Sequence, residues 1–306
     1  MGDVPPGADG GIGAVREMLG SKPRPVGWAQ RRARIDEVGS AWPIATDIRL
    51  TSVDVDGLTG EWSLAPDADD GSALLFFHGG GYASGSILSH RSMVTEAGRA
   101  AGIRTLAVEY RRSPEHPFPT AVDDAVRAWE WLRASGLDAD RIVLGGDSAG
   151  GGLVLAVWQR LRDAGEPGPA ALWLVSPWTD LTLSGESLDL KDAADPLLHR
   201  AYLAELAAAY VPDASGRADP LVSPLFADLA GLPPTLIQVG TDETLLDDAV
   251  RLARAAALAG AAVTLQTYPH MIHAFPLWNA VLSEGRRALS EFGAFARSRL
   301  GGPVGG

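Results

Sequence analysis

The chain has 306 residues, 46% hydrophobic and 21% charged, with 26 basic against 38 acidic side chains and a formal charge of −12. Length and composition suit one large α/β domain with a sizeable core and exclude disorder as its main state. The acidic balance sets aside nucleic acid and anionic membrane as partners, and the absence of cysteine excludes disulfides, thiolate nucleophiles and Cys-ligated zinc.

The opening, MGDVPPGADGGIGAV, has neither the basic start nor the apolar stretch of a signal peptide. Pro6 stands where a myristoylation signal needs Ser or Thr. The apolar runs are too short to span a bilayer, so the cytoplasm is the expected location. The first dozen residues, rich in Gly and Pro, are expected to be loose. Short helices are predicted at GAVREMLGS and GWAQRRARIDEVGSA, with Pro23 and Pro25 between them. The alternation in DIRLTSVDVDGLTGEWSLAP then predicts two antiparallel strands around Gly57. ALLFFH is a continuous apolar run, suited to a strand buried on both faces.

A helix is predicted over about residues 90–101, then a second buried strand in RTLAVEY. TAVDDAVRAWEWLRASG is helical in period, with Val122, Val126, Trp129 and Leu132 on one stripe and Gly136 as its stop. Next come the strand RIVLGG, a glycine-rich bend, a helix over 150–164 and the strand AALWLVSPW. Residues 180–222 lose the alternation and carry Pro196, Pro212, Pro220 and one helical stretch, LLHRAYLAELAAAYV. The pattern resumes with PPTLIQVG, DDAVRLARAAALAG, VTLQTYPH and a last helix over about 279–300.

Strands alternating with helices imply an α/β fold, a mostly parallel central sheet with helices on both faces. In such sheets the working residues gather at the strands' carboxyl ends. Segments 1–45 and about 180–222 fall outside the sheet pattern and are expected to form a helical cap over that edge, with residues 46–306 as the main domain.

Gly146-Asp147-Ser148-Ala149-Gly150 fits G-x-S-x-G between a predicted strand and a predicted helix. A strand feeding straight into a helix strains the residue at the bend, and the positions two before and two after must be small. The bend then presents a hydroxyl at a helix N-terminus, where a developing anion is favoured. Ser148 is therefore the candidate nucleophile. HGGGY follows the run 73–77, and its side-chain-free backbone can turn N–H groups toward a substrate oxyanion. The expected donors are the amides of Gly80, Gly81 and Ala149, with His78 bracing the loop and Asp147 in support. A phosphate-binding reading of the loop lacks the G-K-[ST] it would need.

The base must be a histidine, and the chain has six: His78, His90, His116, His199, His270 and His273. His90 opens a predicted helix, His116 lies in the Pro-rich turn SPEHPFP, and His199 falls in the cap segment. His270 and His273 follow the strand VTLQTY on a loop at the sheet's carboxyl edge, where a base could meet Ser148. The acid that orients the base is sought in QVGTDETLLDDAV. Asp247 and Asp248 fall in the first turn of a helix, where a carboxylate also suits the helix dipole. Between Asp242 and Glu243 the residues alone do not choose.

Taken together, FFHGGGYASGS, VEYRRSPEHPFPTAVDD, GGDSAGGGL, SPWTDL, DPLVSPLFADLAGLPPTLIQVG and MIHAF resemble the hormone-sensitive-lipase-like family, the bacterial type IV esterases of the α/β-hydrolase fold. The resemblance runs from about residue 61 to 300, in the chain order Ser, acid, His. It implies Ser148 as nucleophile and His273 as base. It places the acid four residues before the Asp247-Asp248 pair, at Glu243, where the commoner form has Asp; Asp242 stays as the alternative. The implied activity is that of a serine carboxylesterase acting on short- to medium-chain acyl esters, with no cofactor and no metal. Dimerisation through the last strand and helix also follows from the resemblance. An amidase, deacetylase or lactonase would use the same triad. A non-catalytic small-molecule receptor on this fold would have lost a triad member, and His273 is present. Trp28, Trp42, Leu198, Tyr202, Leu206 and Tyr210 are the cap candidates from which one or two are expected to line an acyl pocket.

Overall fold

The computed structural model describes residues 11–23 and 25–300; the loose opening expected from the sequence falls almost wholly on residues 1–10, outside them. Two helices, α1 (Gly11–Gly20) and α2 (Trp28–Ser40), precede a hairpin of β1 (Arg49–Val55) and β2 (Leu58–Leu64). Its two-residue turn is Asp56-Gly57, a pair that matches the right-handed twist of the flanking strands. There follow β3 (Asp69–Phe77), α3 (Ile87–Ala101), β4 (Ile103–Val108), α4 (Thr120–Ala134), β5 (Ile142–Asp147), α5 (Ala149–Ala164) and β6 (Ala171–Val175). The chain continues through α6 (Ser187–Leu190), α7 (Arg200–Tyr210), β7 (Thr235–Gly240), α8 (Leu246–Leu258), β8 (Val263–Tyr268) and α9 (Ser283–Leu300).

Among the described residues eight strands form one sheet in the order β1-β2-β4-β3-β5-β6-β7-β8. Pairing is parallel from β4 through β8, and β2 is antiparallel to both of its neighbours. This is the α/β-hydrolase fold, and the reason is written in the strands. Along β3, Leu74 and Phe76 enter one core with Met93, Val94, Leu289 and Phe292. Leu75 and Phe77 enter the other, with Val122, Leu132, Leu153 and Leu252. A strand apolar on both faces needs helices above and below. Helices α3 and α9 supply one layer, α4, α5 and α8 the other.

Three helix starts differ from the sequence expectation by about a turn, each for a local reason. Helix α3 starts at Ile87, ahead of His90, because Ser86 caps it and exchanges hydrogen bonds with Ser89. Helix α7 starts only at Arg200, because the His199 ring caps it by accepting from Tyr202 N at 3.1 Å. The last helix starts at Ser283 instead of about 279: Phe275–Trp278 forms a tight 3₁₀ turn containing Pro276, which Asn279 closes by donating to Pro276 O at 3.1 Å. That turn carries Phe275 and Trp278 into a small apolar cluster with Val15 of α1 and Ile272. Among the described residues, no helix is long and apolar enough to cross a membrane.

Candidate active site

Ser148 sits where β5 stops and α5 begins, at φ 53° and ψ −122°. That region is sparsely populated for a side-chain-bearing residue and costs on the order of 1–3 kcal/mol. The cost is held by surrounding contacts. Ser148 N donates to Val175 O at 2.9 Å, and Trp178 N donates to Ser148 O at 2.9 Å. The small flanks are obligatory: a Cβ on Gly150 would lie 2.0 Å from Phe77 O, and one on Gly146 would lie 2.4 Å from the Gly150 carbonyl carbon. The serine is 7% exposed.

The HGGG loop runs alongside. Gly80 has φ +113°, and a Cβ there would lie 2.3 Å from Ser84 O, so only glycine turns this corner. Ser84 N closes the turn onto Gly80 O at 2.9 Å. Among the described residues the amides of Gly80, Gly81 and Ala149 donate to no protein acceptor. Unsatisfied N–H groups beside a strained serine, one of them opening α5, form a place for negative charge to develop.

What fixes this loop is a buried pair. Asp147 Oδ1 accepts from Gly79 N at 2.8 Å, and Asp147 Oδ2 accepts from His90 Nε2 at 3.3 Å. Burial opposes charge on both groups, yet the His90 ring holds Asp147 below the usual carboxylate range, and Asp147 holds His90 above the usual imidazole range. His78 is the opposite case. Burial and then the neighbouring His90 pull it down to about 3, so it is neutral at neutral pH. Its Nδ1–H donates to Gly79 O at 2.8 Å and its ring stacks on Tyr110 at 4.3 Å. His78 braces the loop.

The third strand of the site comes from β7 and β8. Glu243, fully buried, follows β7; its Oε1 accepts from His273 Nδ1–H at 3.2 Å. Its Oε2 accepts from Ser176 Oγ at 2.7 Å and from Gly240 N at 2.9 Å. His273 is 6% exposed. Burial alone would lower its pKa, but the hydrogen bond and charge of Glu243, then the charges of Asp195 and Asp147, raise it above the ordinary 6.5. Asp242 points elsewhere, to Arg16 Nη2 at 3.1 Å and Lys191 Nζ at 3.8 Å. The His270 side chain is 82% exposed. So the structure brings Glu243 to His273, holds the half-buried Asp242 in an ion pair with Arg16, and leaves the His270 side chain exposed. Among the described residues no side chain hydrogen-bonds the Ser148 hydroxyl; such bonds are often long until a substrate draws the groups together.

Ser148, His273, Gly80 and Gly81 open on one cavity of about 390 Å³. Its far wall is apolar and comes from α1, α2 and α7 with the segments beside them: Leu19, Val38, Trp42, Leu198, Tyr202 and Leu206 among others. Four of the six cap candidates thus line it, more than the one or two expected. Tyr210 instead stacks on Tyr82 with centroids 3.8 Å apart, and Trp28 lies under the Arg31 guanidinium at 4.8 Å. Among the described residues no group of three or more His, Asp or Glu side chains is placed to hold a metal ion.

Sequence reasoning missed two supports of this site. From the sequence His90 reads as a helix opener, though the Ser86–Ser89 capping box starts the helix earlier and leaves His90 under the loop. Ser176, at φ 46°, links the Glu243 loop to the His273 loop: it donates to Glu243 and accepts from Ala274 N at 3.0 Å. Its signal was the Ser-Pro-Trp directly after β6.

Residues 74–277 match the alpha/beta hydrolase fold family. The chain is 48% identical over 249 residues to an acetyl-hydrolase of Streptomyces hygroscopicus, covering 81% of this chain and 83% of that one. It is 35% identical over 267 residues to an esterase of Acinetobacter venetianus, covering 87% and 88%. Among solved structures it superimposes on an esterase from the bacterial hormone-sensitive lipase family with a TM-score of 0.91, at 42% identity over 95% of this chain and 97% of that one.

Proposed function

Because this chain belongs to the bacterial hormone-sensitive-lipase-like esterases and is a serine carboxylic ester hydrolase, we propose that Ser148, His273 and Glu243 carry its chemistry, with the amides of Gly80, Gly81 and Ala149 as the oxyanion hole. The observation that carries this reading is the Glu243–His273 hydrogen bond, 3.2 Å long, opening on the same cavity as a strained serine. Ser148 Oγ attacks the ester carbonyl while His273 Nε2 takes its proton. Glu243 holds the Nδ1–H tautomer and stabilises the imidazolium. The carbonyl oxygen becomes the oxyanion and is received by the three amides; losing one such donor costs roughly 10²–10³ in rate. The alcohol leaves with the proton from His273, and water then repeats the sequence on the acyl-enzyme.

In the cap segments 1–45 and about 180–222, the described residues supply an apolar wall that favours short- to medium-chain acyl groups. Removal of an acetyl group is the second reading, favoured by the likeness to the Streptomyces acetyl-hydrolase. The substrate is a small ester. A homodimer through β8 and α9 would cover the half-exposed edge strand β8.

The test is a scan of 4-nitrophenyl esters from acetate to palmitate beside 4-nitroacetanilide. The largest kcat/KM is expected between acetate and octanoate, with the anilide far slower. Because His273 must be neutral to act as base and its pKa lies above 6.5, the acid limb of kcat/KM should fall at a pH above that value. A maximum at palmitate, a faster anilide, or a limb below 6.5 would each contradict the reading.

A further inference from the structure

The strap of residues 191–199 joins α6 to α7 and gives Pro196, Leu197, Leu198 and His199 to the cavity wall. Asp195 lies at the root of that wall and is only 4% exposed. Its Oδ1 accepts from Leu197 N at 2.9 Å and Leu198 N at 3.0 Å. Its Oδ2 accepts from Thr244 N at 2.9 Å and Thr244 Oγ1 at 3.2 Å. Thr244 is the residue after Glu243. One oxygen is therefore filled by the wall of the cavity and the other by the loop that carries the acid.

A parallel bridge flanks it. Arg16 of α1 donates from Nη1 to Ala194 O at 2.6 Å and from Nη2 to Asp242 Oδ2 at 3.1 Å. Strap and acid loop are thus tied on both sides of Glu243. Asp195 differs from the Arg16 bridge in being buried and in taking four N–H and O–H donors. A carboxylate out of water is costly unless its oxygens are filled in this way. A neutral residue could cap two amides without that cost, so the charge itself calls for a role. The charge is felt at His273, where it adds to that of Glu243.

We propose that Asp195 is a positioning residue for hydrolysis, locking the acyl-facing strap to the Glu243 loop so that one carboxylate sets both the cavity wall and the aim of His273. The proposal rests on the triad reading above. It predicts that acyl preference and base strength change together when Asp195 is altered, although it touches neither substrate nor imidazole.

The experiment compares wild type, Asp195→Asn and Thr244→Val on 4-nitrophenyl acetate and hexanoate, with pH profiles and thermal midpoints. In Asp195→Asn the side-chain NH₂ must face amide donors on one side, releasing either the strap or the loop. Expected are a kcat lower by about tenfold or more, an acid limb moved to lower pH, and an altered acetate-to-hexanoate ratio of kcat/KM. Thr244→Val keeps the charge and the amide bond, so a smaller kcat loss with an unmoved limb is expected. A brace with only a structural role would lower the thermal midpoint and leave kcat, limb and ratio at wild-type values; that result overturns the proposal. Should Asp195→Asn not fold, Thr244→Val decides, since a wild-type kcat in that variant also overturns it. An inactive wild type would instead bring down the esterase reading itself, and this inference with it.

Discussion

Ser148→Ala is expected to lower kcat on 4-nitrophenyl butyrate by roughly 10⁴–10⁶-fold, since removing a triad serine leaves only the oxyanion hole and binding to accelerate the reaction. The fold should be untouched. Ser148 is positioned by its backbone, through Val175 O and Trp178 N, and its hydroxyl bonds no side chain among the described residues. Alanine keeps the same strain at φ 53°, so the thermal midpoint should stay within a few degrees of wild type. KM should change little, because the cavity wall is not altered. A variant that retained more than about a tenth of wild-type kcat would remove the nucleophile from the mechanism. Circular dichroism recorded in parallel separates that outcome from unfolding.

The proposed acid gives the second large effect. Glu243→Gln should cost roughly 10³–10⁴ in kcat, whereas Asp242→Asn should stay within about threefold of wild type, as expected for a partly exposed ion pair. The argument is one of donors and acceptors. Three donors converge on the Glu243 carboxylate: His273 Nδ1–H, Ser176 Oγ–H and Gly240 N–H. A glutamine has one oxygen to offer. If its NH₂ faces Gly240, two donors collide; if it faces His273, the imidazole must flip to the Nε2–H tautomer and can no longer take the serine proton. Asp242 has no such position, since its partners are Arg16 and Lys191 at the edge of the molecule. Equal losses in both variants, or a larger loss in Asp242→Asn, would move the acid by one residue.

Much of this is legible in the sequence, and the reason differs by level. The sheet could be read because β3, β5, β6 and β7 are apolar runs with both faces buried, a pattern that admits few alternatives. The bend at Ser148 could be read because close approach of Gly150 to Phe77 O leaves no room for any side chain. Glu243 could not be separated from Asp242 by residue type. They are adjacent in one loop, and the choice depends on which carboxylate faces inward, where Ser176, on a distant segment of the chain, donates to Glu243 while accepting from Ala274 N. His90 and Asp195 were opaque for a related reason. Each acts through backbone amides of a distant segment, Gly79 in one case reached through Asp147, Thr244 in the other. Backbone amides carry no sequence signature. The start of α3 lies before its apolar stripe because the Ser86–Ser89 capping box precedes that stripe.

The central claim is that one serine, raised on a strained bend beside three free amides, is the atom that receives the acyl group. Mass spectrometry after treatment with a 4-nitrophenyl alkylphosphonate, which leaves a stable tetrahedral adduct, tests it most directly. One adduct per chain is expected, mapped by peptide digestion to Ser148, absent from Ser148→Ala and formed far more slowly in His273→Ala. An adduct on another residue, or an unlabelled protein that still hydrolyses 4-nitrophenyl butyrate, would contradict the account.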